Sequence, residues 1–65
     1  MAISLAAARV NAKLTISEAS KALGIHSNTL VNYEAYKTKP DIERAIQLAE
    51  LYGCGLDDIK WSEEV

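Results

Sequence analysis

The chain has no phenylalanine, one cysteine, one proline, one tryptophan and three glycines in 65 residues. Each scarcity excludes something. Aromatic residues make up only 6%, so the core has to come from Leu, Ile, Val and many Ala, small side chains that suit close-packed helices better than a sheet. The lone Cys54 rules out an internal disulfide and a cysteine-based metal site, and it points to a reducing compartment, the cytoplasm. No apolar run approaches the ~18 residues of a membrane span. The segment from Ile3 to Val10 is broken by Ser4 and Arg9, so no membrane partner and no signal peptide is expected. With one His, one Cys, no glycine-rich phosphate loop and no paired acidic constellation beyond Asp57-Asp58, the inventory does not support an enzyme. Neither a cofactor, a metal nor a small-molecule ligand is expected.

What is present describes a small globule. A chain of 65 residues buries only about 60% of its unfolded surface, so it is read as one domain over residues 1–65. Hydrophobic residues at 49% and charged residues at 25% exclude a disordered chain. The net charge of −2 conceals an asymmetry. Residues 1–40 carry Arg9, Lys13, Lys21, Lys37 and Lys39 against Glu18 and Glu34, a net +3. Residues 41–65 carry Arg44 and Lys60 against seven carboxylates, a net −5. Because charges are screened beyond roughly 8–10 Å, a basic half can face a polyanion while an acidic half faces solvent.

Punctuation divides the chain into five helical segments. Leu5, Ala8 and Ala12 share a face from about Ile3 to Ala12. Thr15 followed by Glu18 is a capping box that opens a second helix, with Ile16 or Ala19, Ala22 and Leu23 inward, and Gly24 ends it in a left-handed turn. Only Ile25 and His26 precede a third helix, Ser27 to about Ala35, with Leu30 and Tyr33 inward. Two helices joined by so short a glycine-containing turn form a helix-turn-helix over about residues 15–35. After the polar loop Lys37-Thr38-Lys39-Pro40, Asp41 opens an amphipathic fourth helix carrying Ile42, Ala45, Ile46, Leu48, Ala49 and Tyr52, ended by Gly53. Leu56 to Lys60 is expected to form a short fifth helix, followed by a frayed tail at 62–65. Trp61 either covers the core or joins the stretch from Leu56 to Val65 in a small interface, and Cys54 is read as core packing.

The ordered pieces Leu14-Thr15, Ala19, Leu23-Gly24-Ile25, Thr29-Leu30, Tyr33-Glu34, Lys37-Thr38-Lys39-Pro40, Ala49 to Gly53 and Leu56 to Ile59 resemble the XRE-type helix-turn-helix of phage Cro proteins and repressors. The resemblance covers about residues 3–60. It implies an all-α, five-helix, lambda repressor-like domain that regulates transcription by binding a double-stranded DNA operator, as a two-fold homodimer on half-sites about one turn apart. It places base reading on Ser27, Asn28 and Asn32, and phosphate contacts on His26, Thr29, Lys37, Thr38 and Lys39. Chemistry agrees: Asn bonds bidentately with adenine, Ser donates or accepts, and loop lysines and a helix N-terminus suit phosphate. Arg9 and Glu34 fall where relatives join the first and third helices by a buried salt bridge.

Six positions depart from the family pattern. Ile16 replaces a usual Gln, Ala35-Tyr36 replaces a glycine-containing turn, Lys13 replaces a C-cap Gly, and Ala6 and Ala7 stand where basic residues are frequent. A third helix running longer than usual is therefore expected. With the acidic second half, these departures frame an alternative: a modulator or antirepressor that keeps the fold and binds another repressor protein.

Overall fold

The computed structural model describes residues 2–62. In chain order it has a short strand β1 (Ile3–Ser4), helices α1 (Leu5–Asn11), α2 (Ile16–Leu23), α3 (Ser27–Glu34) and α4 (Ile42–Tyr52), a 3-10 turn (Leu56–Asp58) and a second strand β2 (Ile59–Lys60). Each helix begins on a side chain suited to the task. Ser4, Thr15, His26 and Asp41 accept from the backbone N–H of Ala7, Glu18, Asn28 and Arg44 respectively, satisfying donors that a helix start leaves free. At Thr15 the box is complete, because Glu18 Oε1 accepts from Thr15 N–H at 2.9 Å while Thr15 Oγ1 accepts from Glu18 N–H at 3.1 Å.

All four helices also end alike. The amides of Leu14, Ile25, Lys37 and Cys54 reach back five residues to the carbonyls of Arg9, Ser20, Asn32 and Ala49, at 3.2, 3.0, 3.0 and 2.9 Å. Each such closure needs one residue with positive φ. Gly24 and Gly53 supply it for α2 and α4, at φ 70° and 71°, whereas Lys13 and Tyr36 supply it for α1 and α3, at φ 62° and 60°. The longer third helix expected from Ala35-Tyr36 is not formed. Helix α3 stops at Glu34, and Tyr36 itself adopts the left-handed turn.

The core gathers Leu5 and Ala8 of α1, Ala19 of α2, Leu30 of α3, Leu48, Ala49 and Tyr52 of α4, and Ile59 of β2. Around it pack Ile16, Leu23, Tyr33, Cys54, Leu56 and Trp61, partly buried. The Trp61 indole N–H donates to Leu56 O at 2.9 Å, which ties that ring to its own chain. One inward assignment is corrected, since Ala22 is exposed, and of the apolar residues carried by α4, Ile42 and Ile46 are exposed as well. Leu23 and Ala19 already fill the inner stripe of α2, and Ala45, Leu48, Ala49 and Tyr52 fill that of α4, leaving the other apolar residues outside it.

The fifth helix is also corrected. Leu56 to Asp58 form a 3-10 turn, held by Asp58 Oδ2 accepting from Gly55 N–H at 3.1 Å, and the chain then extends. Ile59 pairs with Ile3 and Lys60 with Ser4 in a two-residue parallel ladder that joins the two ends of the described chain. That pairing buries Ile59, which a helix of five residues has too little length to do with stable hydrogen bonding of its own. It also explains why α1 begins at Leu5 and not at Ile3. The tail at 62–65 lies outside the described residues except for Ser62, which is half-buried.

Candidate nucleic-acid interface

Helices α2 and α3 pack on one another across the turn Gly24-Ile25-His26. Gly24 permits the reversal, and Ile25 packs against the core and anchors it. From α4, Arg44 Nη1 donates to Leu23 O at 3.1 Å and to Gln47 Oε1 at 2.9 Å, so a cation occupies the carbonyl end of α2. This support was not read from the sequence, because a contact 21 residues away leaves no local signal.

The inner side of α3 is fixed at several points. Leu30 is fully buried. Glu34 Oε2 accepts from Arg9 Nε at 2.7 Å and Glu34 Oε1 accepts from Nη2 at 3.4 Å, with the two side chains only 16% (Arg9) and 12% (Glu34) exposed. Arg9 Nη1 also donates to Leu14 O at 2.9 Å, just beyond the left-handed Lys13. The hydrogen bond that Arg9 donates to Glu34 raises the Arg9 pKa above its ordinary value, against desolvation, so the guanidinium stays charged. Beyond the end of α3, Tyr36 Oη donates to Lys60 O at 3.1 Å and accepts from Leu5 N–H at 3.4 Å, linking the helix to both strands' ends.

The outer side of α3 is left open. Ser27 and Asn28 are exposed and Asn32, one turn on from Asn28, is half-buried. Val31, on the same side, is 46% exposed and was not singled out in the sequence, where an apolar residue in a helix reads as core. Thr29 is half-buried on another flank. His26 is exposed and caps the helix through Nδ1, which accepts from Asn28 N–H at 3.3 Å, so in the neutral ring the proton sits on Nε2. Lys37, Thr38 and Lys39 are exposed in the loop after the other end of α3. The helix thus has a hydrogen-bonding side between a capped N-terminus and a basic loop, separated by the ~12 Å length of eight residues.

Ile16, the departure at the start of α2, is half-buried against the core. Next to the basic loop is an apolar groove of about 430 Å³ lined by Lys39, Pro40, Ile42, Ala45, Leu56, Asp57 and Trp61. Among the described residues no cluster of His, Cys, Asp or Glu has the arrangement to hold a metal ion, and no helix is long and apolar enough to cross a membrane.

Comparison with curated proteins and with solved structures finds no match. Comparison with protein families matches residues 5–59 to the family described as helix-turn-helix. The matched span runs from the start of α1 to the beginning of β2 and contains the whole α2-turn-α3 unit. On that match and this geometry, the chain belongs to the XRE-type helix-turn-helix family, a family of DNA-binding regulators.

Proposed function

We propose that this protein is a sequence-specific transcriptional regulator of phage or prophage Cro/repressor type, acting in the cytoplasm and reading an operator with α3 in the major groove. The observation that carries the reading is the two-sidedness of α3. Its inner side is clamped by Leu30 and the Arg9–Glu34 pair, while Ser27, Asn28 and Asn32 remain available on the outer side. In this reading Asn28 and Asn32 pair with adenine edges, each good bidentate contact giving ~1–3 kcal/mol of discrimination, and Ser27 donates or accepts. His26 and Thr29 hold phosphate at the helix start with their side chains, where the helix dipole favours an anion. Lys37, Thr38 and Lys39 follow the backbone and fix register without sequence information.

A two-fold homodimer is supported by the groove beside that loop. The groove is apolar, and Ile42 on its wall is 66% exposed. A second reading, a modulator that binds another repressor, is favoured by Ile42 and Ile46 exposed on α4 among Asp41, Glu43 and Glu50.

Fluorescence anisotropy with labelled DNA from around the gene's own promoter separates the two. The wild type and the Asn28→Ala/Asn32→Ala variant are compared at about 50 and 200 mM salt. Specific, salt-sensitive binding that the variant loses is the expected result. No binding by a folded protein at the lower salt overturns operator reading and favours the modulator. On the same DNA, Lys37→Ala/Lys39→Ala weakens binding to all sequences alike and lowers the salt slope by up to about two units. An unchanged slope removes the loop from the interface.

A further inference from the structure

The outer side of α3 contains one group that hydrogen bonding does not use. Val31 lies three residues after Asn28 and four after Ser27, the spacing that stacks side chains on one helical face. It is 46% exposed and is absent from the apolar side chains packed on the core, whereas its neighbour Leu30 is fully buried. An isopropyl group therefore projects among the Asn and Ser side chains assigned to base reading. A β-branched residue is a costly choice there for helix formation, by up to about 0.7 kcal/mol relative to Ala. It brings stiffness in return, because valine in a helix is held almost entirely in one χ1 rotamer and loses little freedom on contact.

In the major groove an A·T pair offers adenine N7 and N6, thymine O4 and the thymine 5-methyl group along a single edge. That edge matches an amide and an aliphatic group side by side. A G·C pair in the same place sets the cytosine amino group, a hydrogen-bond donor, against a side chain unable to accept from it. We propose that Val31 reads a thymine methyl group, so that each operator half-site carries a thymine next to the base pair read by Asn28 or Asn32. This rests on the reading of α3 as the base-reading helix and adds to it an apolar selectivity.

The test begins by selecting duplexes from a random-sequence pool with the full chain. A preferred thymine in the selected site is then replaced by uracil, which deletes the methyl group and preserves every hydrogen-bonding atom. For the wild type, affinity for the uracil duplex is expected to fall about fourfold, the equivalent of one buried methyl group at about 0.8 kcal/mol. Val31→Ala is expected to bind the two duplexes equally and, since Val31 is exposed and outside the buried core, to melt within a few degrees of wild type. Equal binding of both duplexes by the wild type at each preferred thymine overturns the proposal. So does a Val31→Ala protein that keeps the full uracil penalty. If no sequence at all is enriched by the folded wild type, base reading by α3 itself fails and the methyl contact fails with it.

Discussion

The ends of α2 and α4 and the ends of α1 and α3 carry the same hydrogen-bonded closure on different residues. At α2 and α4 the left-handed position is glycine, with nothing within 4 Å of where a Cβ would stand, so the backbone alone meets the requirement. At α1 and α3 it is Lys13 and Tyr36, side chains that cost about 1–2 kcal/mol in this conformation. Those ends have tertiary support. Arg9 holds the carbonyl of Leu14 immediately after Lys13, and the Tyr36 hydroxyl is engaged by Leu5 and Lys60. The comparison shows two ways to end a helix, one by local conformational freedom and one by side-chain contacts from elsewhere in the chain.

The largest expected effect breaks the second arrangement at its strongest point. Arg9→Ala removes the partner of a mostly buried Glu34 and the donor to Leu14 O together, and a loss of ~3–5 kcal/mol is expected in thermal or urea unfolding. A melt matching wild type would show that the pair contributes nothing to either helix end. Gly24→Ala tests the first arrangement: it adds no steric contact, so backbone strain, partly offset by the lower unfolded-chain entropy of Ala, gives an expected loss of about 1 kcal/mol.

Two tyrosines sharpen the contrast. Tyr36 Oη has two partners, whereas Tyr52 Oη, at the end of α4, is buried without a hydrogen-bond partner among the described residues. Substitution by Phe should therefore act in opposite directions. Tyr36→Phe is expected to lose about 1 kcal/mol, and Tyr52→Phe to gain about as much by removing an unsatisfied hydroxyl. Burial, with the nearby Glu34 charge adding and Arg9 opposing, pushes the Tyr52 phenol up to about 12. Its proton is thus held more tightly in the folded chain than in the unfolded one. The associated stability is fully present below a pH of about 10 and is lost as pH rises through about 12, a decline that Tyr52→Phe should reduce. The smallest effect is Lys13→Gly. Relief of left-handed strain against the extra entropy of glycine leaves a net gain of about 0.5 kcal/mol, readable as a small rise in melting temperature.

The same contrast decides how much was legible beforehand. Thr15 with Glu18, Gly24, Asp41 and Gly53 are local signals, and the helix boundaries they mark are observed. Tyr36 carries no such signal, so the chain past Glu34 reads as continuing helix until its distant partners on Leu5 and Lys60 are known. The pair of Arg9 and Glu34, 25 residues apart, enters the sequence analysis through family resemblance and not through spacing. On α3, Ser27, Asn28 and Asn32 are legible as polar residues at helical spacing, but which apolar neighbour is left outside the core is not. Val31 and Leu30 are adjacent and chemically alike, and only packing separates them.

Composition and punctuation by themselves determined a small, helical, cysteine-poor chain with a glycine-hinged helix pair, because caps and glycine turns act within a few residues. The tertiary structure alone decided that Ile59 closes the core as a strand against Ile3, that Lys13 and Tyr36 take glycine's role, and that Ile42 and Val31 stay outside. Each of those outcomes depends on free energy from groups far apart in sequence, which exists only once the chain has brought them together.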